Sequence, residues 1–326
     1  MLLVTGGAGF IGSNVVAALN EAGRADVVVW DFLGSEGKWR NLAKRQLADV
    51  VPPGELMSWL ATRNLDAVIH LGAISETTAT DGDLVIETNF RLSMRLLDWC
   101  TINHTPFIYA SSAATYGDGA QGFRDTQTLD ELTKLRPMNL YGWSKHLFDM
   151  AVAARVAKGE KLPPQWAGLK FFNVFGPNEY HKGPMMSVLT KRFDEIKAGQ
   201  TIQLFKSHRE GIADGDQRRD FIYIDDVIRV IAWLLATPSV SGIFNVGTGH
   251  ARSFKDMMVA AYAALGTRPN IEYIDMPEQI RGSYQYFTQA DTARLHQAGY
   301  NGGFTPLEEA VTAYVKGFLD QADHYR

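Results

Sequence analysis

The sequence predicts an α/β fold: a Rossmann-type, doubly wound parallel sheet joined to a smaller, interleaved α/β substrate domain. Three observations carry that expectation. Short apolar runs recur with helical patterns between them, a glycine-rich turn separates the first run from the first helix, and an acidic residue closes the second run. Leu2 to Thr5 reads as a short buried strand, and Phe10 to Leu19 carries apolar residues at helical spacing, so Gly6, Gly9 and Gly12 fall on the turn between them. Gly6 permits the tight turn, Gly9 lets backbone N–H groups approach a pyrophosphate, and Gly12 lets the helix pack close to the strand. The positive end of the helix then faces the anion. Asp31 follows the next strand, Val27 to Trp30, at the spacing of about twenty residues that suits a ribose contact.

Further strands are expected at Ala67 to Leu71, Phe107 to Ala110 and Leu169 to Val174, with a long helix from Leu84 to His104 whose Leu92, Leu96 and Leu97 share a stripe. Beyond Pro177 the pattern gives a helix from about Met185 to Ala198, a strand from Thr201 to Phe205 and a polar stretch from Ser207 to Gln217. The strand Phe221 to Ile224 and the helix Asp225 to Leu235 are expected to return to the first domain, followed by the strand Gly242 to Val246 and the helix Phe254 to Leu265. Thr305, Pro306 and Glu308 predict a capped start to the last helix. The dinucleotide-binding domain is thus expected over residues 1–170 and about 218–247, and the substrate domain over about 177–217 and 248–326.

At 326 residues the chain is long enough for a large core. Hydrophobic residues make up 46%, charged residues 21%, and the formal net charge is -4, a balance that gives no basis for a nucleic-acid partner. No run of apolar residues reaches the length of a membrane span, and the apolar start lacks a basic leader, so neither a span nor a signal peptide is expected. Cys100 is a single cysteine that cannot form an internal disulfide; a reducing, cytoplasmic setting is compatible with it. The eight histidines form no ligand-spaced cluster, so no metal is expected.

A second motif is Tyr141-Gly142-Trp143-Ser144-Lys145 at the start of a helix, where a spacing of four puts Tyr141 and Lys145 on one face. A phenol of pKa about 10 must fall by roughly three units to act as a base near neutrality, a difference of about 4 kcal/mol. One ammonium about 4 Å away contributes about that much at an effective dielectric of about 20. A third piece, Tyr109-Ala110-Ser111-Ser112-Ala113-Ala114-Thr115-Tyr116-Gly117, follows a strand and so lies at the carboxyl edge of the sheet, where ligands bind in open α/β folds. Alone, a Ser-Ser pair reads as turn chemistry and a Tyr/Lys pair as a solvated face. Together, downstream of a dinucleotide turn, they point to proton transfer at an alcohol carbon.

On these motifs the chain resembles the extended short-chain dehydrogenase/reductase family of nucleotide-sugar enzymes over essentially its whole length. The resemblance implies tightly held NADP, with NAD as the alternative, and a triad of Ser112, Tyr141 and Lys145. Glu179-Tyr180-His181-Lys182-Gly183-Pro184-Met185 and Tyr284-Gln285-Tyr286-Phe287-Thr288-Gln289-Ala290-Asp291 are similar to the branch of that family that epimerises ADP-linked heptoses at C6. For that branch the resemblance implies oxidation at C6 and hydride return to the opposite face, with Lys182 as a second base opposing Tyr141. It further implies an ADP-heptose substrate, a role in supplying the heptose of the lipopolysaccharide core, and a homo-oligomer, pentameric on the pattern of the family. The cofactor contacts it carries over are Gly6, Gly9, Phe10, Ile11, Gly12, Asp31, Phe32, Lys38, Leu71, Gly72, Ala73, Ile74, Ser75, Asn89, Tyr141, Lys145, Val174 and Lys182. The substrate contacts are Ser112, Asn173, Pro184, Lys191, Phe205, Lys206, Ser207, His208, Arg219 and Tyr284.

The chain departs from the family pattern at Pro184, where a serine is expected, at Ser283, where an arginine is expected, and in the length of the stretch 207–217. Cofactor signals are divided. Asp31 alone argues for NAD, whereas the resemblance, and the basic run Lys38, Arg40, Lys44 and Arg45, argue for NADP. Two other readings stand beside the 6-epimerase: another nucleotide-sugar 4-epimerase or reductase of the same superfamily, and a non-enzymatic NADP-binding protein. Ala113-Ala114 after Ser112 argues against a dehydratase, which would place an acidic pair there.

Overall fold

Strands β1 (Leu2–Thr5), β2 (Val27–Trp30), β3 (Asp49–Val51), β4 (Ala67–His70), β5 (Phe107–Ser112), β6 (Trp166–Phe171) and β10 (Gly242–Val246) build one sheet in the order β10-β6-β5-β4-β1-β2-β3. Every pairing in it is parallel. The computed structural model describes residues 1–281 and 284–326, so the departure expected at Ser283 lies outside the described residues. The order reverses direction between β1 and β4, which opens a crevice at their carboxyl ends.

Alternation along each strand decides what covers each face. Val4, Val29, Ile69, Ile108 and Leu169 join the apolar cluster that holds Val15, Val16, Val227 and Ile231 of the helices Phe10–Glu21 and Ile224–Ala236. Leu3, Val28, Val68, Phe107 and Tyr109 point the other way, toward Leu96, Leu97, Phe148 and Val152 of the helices Leu92–Ile102 and Leu140–Ala157. Both faces are therefore buried, as parallel sheets require. Phe193, Ile196, Ile202, Leu204, Met257 and Ala261 from the later half belong to the first of these clusters, so the two parts share a core.

The structure corrects several expectations. β3 has no separate apolar run to announce it; two of its three residues are exposed, because it is an edge strand. The run Leu169 to Val174 is not one strand: β6 ends at Phe171, and Asn173–Phe175 (β7) turns away into a second sheet. That sheet pairs β7 in parallel with β9 (Arg218–Tyr223), which pairs antiparallel with β11 (Ala251–Ser253). The strand of the pair expected to return to the first domain thus joins this second sheet, while the helix that follows packs against Phe10–Glu21. β8 (Ile202–Phe205) and β12 (Ile271–Ile274) form a parallel pair of their own.

The helix expected from Met185 is a 3-10 stretch, Tyr180–Met185, followed by Val188–Lys197, whose cap is the Ser187 hydroxyl accepting from Thr190 N. The long helix runs from Gly82 to Ile102 with a π-turn over Ile86–Arg91. Thr305 does not cap the last helix: its N–H and hydroxyl donate to Asp226 at 2.9 and 2.8 Å, the cap position falls on Pro306, and Glu308 is drawn away to Arg252. Among the described residues no helix is long and apolar enough to cross a membrane. Cys100 is fully buried, and burial pushes its thiol up, which leaves it unreactive.

Candidate active site

The glycine turn is held shut by its own backbone. Gly6 N donates to Trp30 O at 2.8 Å and Gly9 N to Gly6 O at 3.0 Å. Gly6 has φ +67, and a Cβ there would lie 2.6 Å from Gly72 Cα. A Cβ on Gly12 would lie 2.1 Å from Gly6 O, a backbone atom that cannot yield without opening the turn. Gly12→Ala is accordingly expected to cost about 3 kcal/mol and to release bound cofactor. Urea unfolding together with the absorbance of the purified protein checks it.

Above this turn lies a cavity of about 470 Å³. Gly6, Gly9, Phe10, Ile11, Gly12, Asp31, Lys38, Leu71, Gly72, Ala73, Ser75, Ser112, Tyr141, Lys145, Asn173, Val174 and Lys182, all named from the sequence, line it. A dinucleotide fits this cradle: the three glycines hold backbone where any side chain would fill the space, and Asp31 lies at the ribose end. One Asp31 oxygen accepts from Ala8 N at 2.8 Å and the other from Lys38 Nζ at 2.5 Å.

Tyr141 and Lys145 begin the helix Leu140–Ala157, which Asn139 caps by accepting from Gly142 N at 2.8 Å. Gly142 lets that helix touch the segment after β5, since a Cβ there would stand 2.7 Å from Ala114 O. This close approach brings Tyr141 to Ser112, whose hydroxyl oxygen already accepts from Ala114 N at 3.1 Å and retains its proton for a ligand. Ser111 points the other way and donates to Asp149 at 2.6 Å. Of the two serines, only Ser112 is available to a substrate alcohol.

Burial pushes the Lys145 ammonium down to about 8, with the Asp149 carboxylate opposing. Burial pushes the Tyr141 phenol up; the Ser112 hydroxyl opposes this, and Asp149 adds to it. The lowered phenol expected from Lys145 is thus not seen in the protein alone, where burial outweighs the neighbouring groups. Lys182 lines the same cavity from the 3-10 stretch, its Nζ 5.2 Å from the Phe10 ring centroid. Burial pushes this amine down too, while Glu179 opposes.

Other expected residues lie off the cavity. Phe32 is 59% exposed. Asn89 is fully buried on the π-turn and clamps Ile74 through both its backbone groups at 2.9 Å, while donating to Ser144 at 3.0 Å. It acts on the cofactor loop from behind, as does Ile74. Of the basic run, only Lys38 reaches the cavity; Lys44 is drawn to Asp323 and Tyr325 O, and Arg40 lies beside Trp39.

Lys191 donates to Pro184 O at 3.2 Å, and neither lines the cavity. Lys206 lies 3.6 Å from Asp275, Ser207 closes a local turn with Arg209 O, and His208 accepts from Met276 N at 3.2 Å. Lys206 and His208 thus tie this stretch to residues 275 and 276, and Ser207 shapes its turn. Phe205 and Tyr284 stack edge to face at 6.4 Å, and the Arg219 guanidinium sits 5.2 Å from Tyr284 and 5.6 Å from Phe254. Among the described residues no carboxylate pairs with Arg219, whose only hydrogen bond is to Arg218 O at 2.9 Å.

Sequence reasoning missed the lining contributed by His181, Gln285 and Thr288, and the buried ion pair beneath the site. Lys170 Nζ meets Asp149 at 2.7 Å with both side chains fully buried. Asp149 falls at the next step of the Tyr141, Lys145 spacing, the one signal that could have found it.

A model of the NAD dependent epimerase/dehydratase family matches residues 2–247. The ADP-L-glycero-D-manno-heptose-6-epimerase of Nitratidesulfovibrio vulgaris Hildenborough is 48% identical over 327 residues, covering 99% of each chain. A crystal structure of the Helicobacter pylori ADP-L-glycero-D-manno-heptose-6-epimerase superposes with TM-score 0.79 at 28% identity, covering 97% of this chain and 95% of that one. A Thermus thermophilus UDP-glucose 4-epimerase in complex with NAD superposes with TM-score 0.73 at 26% identity, covering 97% of both. With its glycine turn, its Ser112, Tyr141 and Lys145 and a match over three quarters of its length, the chain belongs to the NAD dependent epimerase/dehydratase family.

Proposed function

We propose that the protein interconverts ADP-D-glycero-D-manno-heptose and its L-glycero epimer at C6. The observation that carries this reading is that Tyr141 and Lys182, the two groups to which it gives proton transfer, line one cavity. The high identity to enzymes of that name supports the substrate. When bound, NAD(P) supplies a reversible hydride acceptor. Ser112 holds the C6 oxygen, and Tyr141, backed by Lys145, takes or returns its proton when the hydroxyl points to that side. Lys182 does so for the opposite orientation. A C6 ketone that can be reduced from either face, with an acid waiting on each side, gives both epimers and no net redox change.

Asp31 is the only acidic residue lining the cavity among the described residues, and it lies at the ribose end. Elimination of a sugar hydroxyl would need an acid at the Ala113-Ala114 position, so epimerisation fits better than dehydration. Arg219, a cation without a carboxylate partner among the described residues and faced by aromatic rings, suits the diphosphate. In this reading residues 1–170 and about 218–247 hold the cofactor and the rest holds the sugar nucleotide.

The resident cofactor in this proposal is NADP. Its support is Lys38, which neutralises Asp31 and stands in the cavity where a 2′-phosphate would arrive. Denaturing the purified protein and separating the released nucleotide tests it: NADP is expected, and NAD alone would reverse the choice. The reaction itself is tested by incubating the protein, without added cofactor, with ADP-D-glycero-D-manno-heptose and following C6 by proton NMR. Appearance of the L-glycero epimer is expected. An unchanged C6 with both cofactors supplied would return the substrate to the wider nucleotide-sugar class.

A further inference from the structure

Lys182 carries a demand that its own side chain does not meet. Among the described residues its Nζ has no hydrogen-bond partner, only the Phe10 ring 5.2 Å away. The position of the amine is therefore set by the backbone of residues 178–185, and the question becomes what holds that backbone.

Its downstream side is fixed from within: buried Glu179 accepts from Ser187 N at 2.6 Å and from the Ser187 and Thr190 hydroxyls at 2.7 and 2.6 Å. The upstream side is fixed from outside. Asn178, fully buried at φ 72, donates to Ser13 Oγ at 3.1 Å and accepts from the Arg326 N–H at 3.0 Å. The Tyr180 hydroxyl donates to His324 O at 2.6 Å, and the Tyr180 ring meets the His324 and Tyr325 rings edge to face at 4.5 and 5.2 Å. Residues 324–326 are in turn tied down. The Arg326 guanidinium reaches Asp225 at 2.6 Å and Glu21 at 2.9 Å, each on a helix of the dinucleotide-binding part, and its side chain is 17% exposed.

A second tie runs toward the cofactor. Lys44 donates to Tyr325 O at 2.6 Å and lies 2.7 Å from Asp323. Lys44 follows the 3-10 segment Lys38–Leu42, which carries both Lys38 and Asn41. Buried Asn41 donates to Ala8 O in the glycine turn at 2.9 Å and to Asn178 O at 3.1 Å, and lies 3.2 Å from His181 Nδ1.

We infer that residues 323–326 act as a strap that positions the Lys182 loop against the cofactor turn, making Arg326 and Tyr180 positioning residues for the second proton-transfer group. This rests on the reading of Lys182 given above. Two independent hydrogen bonds and two aromatic contacts converge on the start of a loop that otherwise has no strand or long helix to stiffen it. The strap touches neither the triad nor Arg219, so it is expected to govern the rate of the step that uses Lys182 and not the hold on the substrate.

The test compares the intact protein with Arg326→Ala, Arg326→Lys and a deletion of residues 324–326. The deletion is expected to lower kcat for C6 epimerisation at least about tenfold with KM changed less than about twofold, since a misplacement of about 1 Å can cost on the order of a hundredfold. Arg326→Ala falls between the deletion and the parent, and Arg326→Lys recovers part of the loss, because it keeps the charge without the two-pronged geometry. Hydrogen exchange read by mass spectrometry gives the second readout. Peptides spanning 178–186 and 38–45 are expected to lose protection in the deletion, while the helix Phe254–Leu265 keeps it.

A kcat within twofold of the parent, or unchanged exchange over 178–186, overturns the strap. So does protection lost evenly across the whole chain, which would mark general destabilisation. If the intact protein leaves C6 unchanged, the assignment of function fails by itself, and the exchange pattern still decides whether the strap holds the loop.

Discussion

Tyr141→Phe is expected to turn over the ADP-heptose about a thousandfold more slowly than the parent, within the range of about 10² to 10⁴ that a positioned proton-transfer group contributes. The reasoning rests on what the change spares. The ring remains in place beside the segment after β5, Gly142 still lets the helix approach Ala114, and the glycine turn is untouched. Only the hydroxyl that lies beside Ser112 is lost. Cofactor content and melting temperature should therefore match the parent, which separates lost chemistry from lost structure. NMR turnover within tenfold of the parent would remove Tyr141 from the reaction. The pH profile gives a second check. Burial pushes the Lys145 ammonium down to about 8, so its charge is present below that pH and lost above it. A tyrosinate supported by that charge should lose its support as pH rises through about 8, and turnover should decline there. A flat rate from about pH 7 to about 9 would mean that the ammonium has no such role.

The parts of this site that can be read from the sequence are those whose chemistry is local. The strand Leu2–Thr5, a glycine turn and the helix Phe10–Glu21 make the cofactor cradle from one continuous stretch, and Tyr141 and Lys145 share one helical face whatever lies around them. Residues whose role depends on distant packing are not legible. The family pattern makes His208 a substrate contact, yet the backbone of Met276 takes up its ring, a pairing 68 positions apart. Asn89, buried on a π-turn, bonds both backbone groups of Ile74 in the segment beside the cavity, a placement that its own stretch of sequence does not announce. The Lys170 and Asp149 pair is hidden for the same reason: a lysine in the apolar run of β6 signals nothing until β5 and the helix Leu140–Ala157 close over it. Fold-level expectations fail in the same way. The segment Leu169 to Val174 reads as one strand, but the chain breaks after Phe171, and β7 leaves the central sheet to pair with β9.

Lys182→Ala is the sharper test of mechanism, since the other nucleotide-sugar epimerases of this fold could do without a second base by turning the keto-sugar over. Truncation removes an amine that makes no hydrogen bond among the described residues, so the loop should stay where Asn178, Glu179 and Tyr180 hold it. The Phe10 ring, 5.2 Å from the amine, loses a contact worth about 1 kcal/mol at a partly buried site. Stability should accordingly change little while C6 epimerisation falls by about 10² or more. Burial pushes the amine below its ordinary range, toward the neutral form that can accept a proton, and Glu179 opposes that shift. Lys182→Met, which keeps the length of the side chain and its packing on Phe10, should be as slow as the alanine variant if proton transfer is the function. Recovery of activity in the methionine variant would instead assign Lys182 a packing role. Near-normal turnover in both would leave Tyr141 as the sole base and point to a substrate that reorients between oxidation and reduction. The strap made by residues 323–326 would then have no second base to place, so this pair of variants also bounds what that segment can do.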